Sequence, residues 1–137
     1  MKIAVLIFLV LAAHFSLTPF APGKAGEAKF YWPFAADSRS WLPFIGGLPA
    51  QSGSIVTPIL AGIAGLAFLA AAASLLGWFV PVAWLRTLVI TGAAASALLY
   101  MLYIGPYAIL PLALDALILW LVFSPATSPA LSALLAR

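Results

Sequence analysis

The chain contains no cysteine, a single histidine and only three acids in 137 residues. The missing cysteines exclude disulfides, thiolate metal sites, Cys-ligated iron–sulfur clusters and Cys nucleophiles together. One histidine, His14, cannot supply both axial ligands of a b-type haem. Charge is equally sparse. Charged residues make up 7% of the chain, against about 25% in a soluble domain, too few to cover a water-facing surface. The six Lys and Arg are dispersed, with no two adjacent and a net charge of +3, so nucleic acid is not an expected partner. There is no Gly-rich phosphate loop with its Lys and no Ser in a nucleophile-elbow context. An enzyme is therefore not expected, and neither a resident cofactor nor a metal.

What the chain has instead is apolar length. Hydrophobic residues reach 66% and mean hydropathy is +1.19. A bilayer requires every backbone polar group to be paired internally, which leaves helices or closed barrels. Long unbroken runs rich in Ala and Leu do not alternate as barrel strands do. The expectation is a single all-α unit over residues 1–137, a four-helix transmembrane bundle with one aromatic-rich surface loop. A span needs roughly 20 apolar residues, which places the four at about 3–20, 55–80, 83–104 and 107–123, with the loop at 21–53. The first resembles a secretory signal peptide in length, but a poor cleavage context around Pro22 and Lys24 favours a retained helix. Pro58 is tolerated in the first turn of the second span. Pro81, Gly105-Pro106 and Ser124-Pro125 are the expected stops, and leucines at 131, 134 and 135 suggest a short interfacial helix in the tail.

The loop carries Pro and Gly throughout, which forbids a long regular element. It is dense in aromatics: Phe30, Tyr31, Trp32, Phe34, Trp41 and Phe44. Trp and Tyr favour the headgroup level, so the segment is expected on the membrane surface, with one short helix begun by Asp37 or Ser38. The sharper alternative is a lid or docking surface for a partner or a lipid-soluble ligand, with Trp32 and Trp41 the contact residues. A lipid, pigment or quinone would suit such a contact. Tyr100, Tyr103 and Tyr107 are expected as interface anchors on the same side, and Trp78 and Trp84 on the opposite one. Small residues in the second and third spans, Gly65 and Gly92 above all, provide for close approach of helices, either within the bundle or against another membrane subunit.

Four spans put both termini on one side. That side holds Lys2, Arg86 and Arg137; the other holds Lys24, Lys29 and Arg39. The counts tie, and only the shortness of the Arg86 connection favours cytoplasmic termini in a multi-pass protein of the cell membrane.

Asp115 is the one acid inside a span, where a carboxylate costs about 3 kcal/mol on insertion scales and marks a functional-site hypothesis. Counting about 1.5 Å per residue from the shared face, His14 and Asp115 lie within about 3 Å of the same depth. Ser96 and Tyr100 are near that depth too, and Arg86 is roughly 15 Å away. A His14–Asp115 pair would serve a proton path or a quinone headgroup. As a structural pair it would pin the first helix to the fourth, and this role is favoured, since one buried polar contact sets register in a small bundle.

The segment 57–123 resembles the small four-helix membrane proteins of the DoxX-like group. The residues carrying the likeness are the small-residue second span, Ser74-Leu75-Leu76-Gly77 leading to Arg86, and Pro111-Leu112-Ala113-Leu114-Asp115. Proteins of that group are linked to quinone-dependent oxidation or to membrane redox complexes. The acid expected in the second span of that group is missing here, so the resemblance implies an accessory role at most. The leading expectation is thus a non-catalytic accessory or structural subunit of a larger membrane complex. The alternative is a small quinone-linked redox or transport protein using His14 and Asp115.

Overall fold

The computed structural model describes residues 2–42, 44–45, 47–48, 55–125, 129 and 133. Among them are four α-helices: α1 (Lys2–Leu17), α2 (Val56–Leu76), α3 (Leu85–Leu102) and α4 (Ile109–Phe123). Single 3₁₀ turns extend α1 at its end and precede α3 and α4. With these turns included, all four are long and apolar enough to cross a membrane, at 19, 21, 21 and 18 residues.

Each boundary has a local cause. α1 stops ahead of Pro19, whose ring and missing N–H disfavour another helical turn; the Thr18 hydroxyl then donates to the Phe15 carbonyl at 2.6 Å. α2 ends at Gly77, not at Pro81 as expected. Gly77 adopts φ 71°, its N–H bonds to Ser74 O at 3.1 Å, and the Trp78 N–H reaches back to Ala73 O at 3.0 Å. This is a Schellman cap, which needs the left-handed conformation glycine accepts most readily. Residues 77–84 therefore form a longer connection than the Pro81 stop implied, held down by the Ser74 hydroxyl donating to Pro81 O at 3.2 Å.

The helices pack as a ring in which α2 meets α3 most extensively, α1 meets α2, and α4 meets both α3 and α1. The core runs through Leu9, Ala64, Phe68, Val89, Leu99 and Ile118. Gly65 and Gly92 are buried within it, so they are not a surface for another subunit. A methyl group on Gly92 would meet the Phe68 ring at 2.9 Å, and one on Gly65 would collide with the Leu17 side chain. Both glycines serve close approach inside the monomer: α3 onto α2, and α1 onto α2.

No helix begins at Asp37 or Ser38. The Ser38 side chain instead closes a tight turn, its Oγ accepting the Ala35 N–H while its own N–H donates to Ala35 O, each at 2.9 Å. The tail segment expected as an interfacial helix lies mostly outside the described residues.

Candidate functional site

The loop folds over the end of the bundle where α1 and α3 finish and α2 and α4 begin. Gly23 bridges the strand-like segment around Ala35, donating to Phe34 O at 2.9 Å and accepting from Ala36 N at 2.7 Å. Lys29 and Trp32 exchange two backbone bonds of 2.9 Å, closing a turn with Phe30 and Tyr31 at its tip. Gly26 takes φ 75° at the third position of the turn Lys24–Glu27, where positive φ is required. Its N–H is held by Asp37 Oδ1 at 2.9 Å.

The two tryptophans singled out from sequence act here as pins. The Trp41 backbone N–H donates to Leu102 O at 3.1 Å and its indole N–H to Met101 O. Both bonds satisfy carbonyls that the last turn of α3 would otherwise leave open. Its ring is nevertheless 61% exposed. Trp32 Nε1 donates to Ala21 O at 2.9 Å, and its ring stands edge-on to His14 with centroids 5.1 Å apart. Lys29 lies 5.7 Å from the centre of the Tyr31 ring, and its bond to that side chain holds its pKa above the ordinary lysine range.

The expected His14–Asp115 pair does not form. His14 is exposed, and its Nε2–H donates to Tyr31 O at 3.1 Å. Depth was not the obstacle; azimuth was. The buried residues of α1 are Val5, Leu9, Ala12, Ala13, Phe15 and Ser16, and at 100° per residue His14 falls on the opposite side from Ala12 and Ser16. Because α1 is apolar on every face, sequence periodicity could not reveal which face turned inward.

Asp115 does turn inward and is only 5% exposed. Ser96, on the facing wall of α3, hydrogen-bonds its carboxyl group; Oδ2 has no hydrogen-bond partner. One turn above Ser96, Tyr100 is buried in the core at 1% exposure, not placed as an interface anchor. Its hydroxyl crosses the ring of helices and donates to Phe15 O at 3.0 Å. Tyr103 remains half-buried, sharing a 3.1 Å hydroxyl contact with Thr57 and standing edge-on to Phe34.

Above this polar layer lies an open cavity of about 330 Å³ between the loop and the α3–α4 turn. Phe34, Asp37, Arg39, Tyr103 and Tyr107 contribute to its walls. The sequence signal for it was weak: two opposite charges two residues apart, in a loop whose Gly and Pro forced turns. A second groove of about 310 Å³, wholly apolar, runs between α1 and α4 along Phe15, Leu110, Leu114 and Leu117. Among the described residues no cluster of three or more His, Asp or Glu could hold a metal ion. Compared with family models, with curated proteins and with solved structures, the chain matches none.

Proposed function

We propose that the chain is a multi-pass protein of the cell membrane, with cytoplasmic termini, that serves as a non-catalytic accessory or structural subunit of a larger membrane complex. One observation carries the membrane reading. Every helix presents large apolar side chains outward: Ile7 on α1, Leu66 on α2, Ile90 on α3 and Trp120 on α4. A perimeter apolar on all sides would be unsustainable in water, whereas lipid accepts it once the backbone is paired within helices. The dimensions agree. The 21 residues of α2 rise about 31 Å, close to the roughly 30 Å of a hydrocarbon core. Exposed Trp78 and Trp84 stand at one end and Tyr31 and Trp41 at the other, where aromatic belts belong.

The accessory role draws on what the interior does with its polar groups. Ser16 and Thr18 bond their own helix, Thr57 meets Tyr103, Tyr100 meets Phe15 and Ser96 meets Asp115. The last three contacts join different helices, and the separation of His14 from Asp115 leaves the redox or transport alternative without its paired groups. The open faces of Trp41 and of Phe44, which is 99% exposed, offer contact area to a partner. The DoxX-like resemblance accords with the same role. Purification in mild detergent tests it: co-purification with larger membrane proteins is expected, and a lone 14.3 kDa species would overturn the subunit assignment.

A further inference from the structure

We infer that the cavity beneath the aromatic loop is a binding site for the headgroup of a zwitterionic phospholipid, a phosphate joined to an ammonium. The inference rests on the membrane reading above. Its cavity, about 330 Å³, lies within the size range of small-ligand sites, at the end of the bundle where headgroups would lie. Two opposite charges reach it, Arg39 and Asp37. Both are exposed, and neither is in an ion pair among the described residues. Asp37 is held in place, because Oδ1 already accepts the Gly26 N–H at 2.9 Å.

The chemistry of the lining matches a zwitterion part by part. A guanidinium offers paired donors to phosphate oxygens. A carboxylate that shares a cavity with aromatic rings attracts an ammonium both by charge and through the ring faces; Tyr103 and Tyr107 supply those rings. A purely anionic headgroup would satisfy Arg39 but meet the Asp37 carboxylate. The acyl chain has somewhere to go as well. Leu110 lies one turn after Tyr107 and lines the apolar groove between α1 and α4. Cavity and groove thus approach each other along one face of the fourth span, the arrangement an amphiphile needs and a free phosphoamine does not.

The test reconstitutes the full chain into vesicles of equal phosphatidylethanolamine and phosphatidylglycerol, then identifies lipids retained on the released protein by native mass spectrometry. Retention should favour phosphatidylethanolamine roughly fivefold, the ratio that about 1 kcal/mol produces. Arg39→Gln should lower retention of both lipids, and Asp37→Asn should bring the ratio near unity while keeping retention. Free phosphoethanolamine should displace the lipid only at large excess. Equal retention of the two lipids by the wild-type chain, which depends on no variant folding, would overturn the site. So would a preference unchanged in both variants, or displacement by phosphoethanolamine at concentrations comparable to the lipid. The membrane reading fails separately: a chain washed from vesicles by alkaline carbonate overturns both, whereas a chain that stays embedded without headgroup preference overturns only this site.

Discussion

The hydroxyl of Tyr100 on α3 donates to the backbone carbonyl of Phe15 on α1 at 3.0 Å, joining two helices that face each other across the ring. The same carbonyl accepts the Thr18 hydroxyl at 2.6 Å, so one acceptor gathers the end of α1 and the interior face of α3. The loop sits directly on this junction, with Phe34 against Tyr100 at a ring separation of 5.6 Å.

Tyr100→Phe should therefore cost little, about 0.5–1.5 kcal/mol, because Thr18 still satisfies the Phe15 carbonyl. Tyr100→Ala removes a fully buried ring and should cost about 3–5 kcal/mol. Unfolding of the reconstituted protein by titration with a denaturing detergent measures both. Equal losses would mean that the hydroxyl, not the ring, dominates.

Asp115 and Ser96 should be energetically coupled, and Asp115 and His14 should not. Ser96→Ala leaves the carboxyl with less hydrogen bonding and should destabilise by about 1 kcal/mol. In the Asp115→Leu background the same change should be nearly neutral. A double-mutant cycle of His14→Ala with Asp115→Asn should add within about 0.5 kcal/mol. Asp115→Asn should leave assembly intact; loss of a coupled activity with assembly preserved would contradict a packing role.

The glycines of the small-residue faces should rank by what lies opposite them. Gly92→Ala drives a methyl into the rigid, buried Phe68 ring and should cost about 1–3 kcal/mol. Gly65→Ala overlaps the branch of Leu17 more deeply, so that this half-buried side chain must leave its rotamer, and should cost a comparable amount. Gly62 faces only the tip of Phe20 at 4.0 Å; Ala there should be neutral or stabilising by about 0.5–1 kcal/mol. Thermal aggregation midpoints in detergent would expose a different order.

Trp41 should act as a latch on the loop. Trp41→Phe keeps the backbone bond to Leu102 O but loses the indole bond to Met101 O. Faster hydrogen exchange is expected at the loop amides bonded around Gly23, Gly26 and Trp32, with exchange inside α2 and α4 unchanged. Uniform exchange across the chain would exclude a local latch.

Orientation can be read directly because the chain has no cysteine. Single cysteines at Lys24 and Ala83, both exposed, lie at opposite ends of the bundle. An impermeant thiol reagent added to intact cells should label Lys24→Cys and spare Ala83→Cys. The reverse pattern would invert the topology.

Composition alone determined the class of this protein: with 7% charged residues and four long apolar runs, helices that pair their own backbone are the economical solution. The breakers Pro81, Gly105-Pro106 and Ser124-Pro125 marked where three of those helices could stop, although α2 ends earlier than Pro81, in a Schellman cap at Gly77 that the breaker pattern alone did not single out. Small residues marked where helices could approach. What only the tertiary structure decided was rotation about each helix axis. Helices apolar on every face carry no periodic signal for which side turns inward, so depth could be counted from residue numbers while azimuth could not. That one unknown separated His14, turned out to the loop, from Asp115, turned in to Ser96. It also sent Tyr100 into the core and brought Asp37 and Arg39 to a shared cavity, since a loop without regular structure takes its shape from the helix ends it caps.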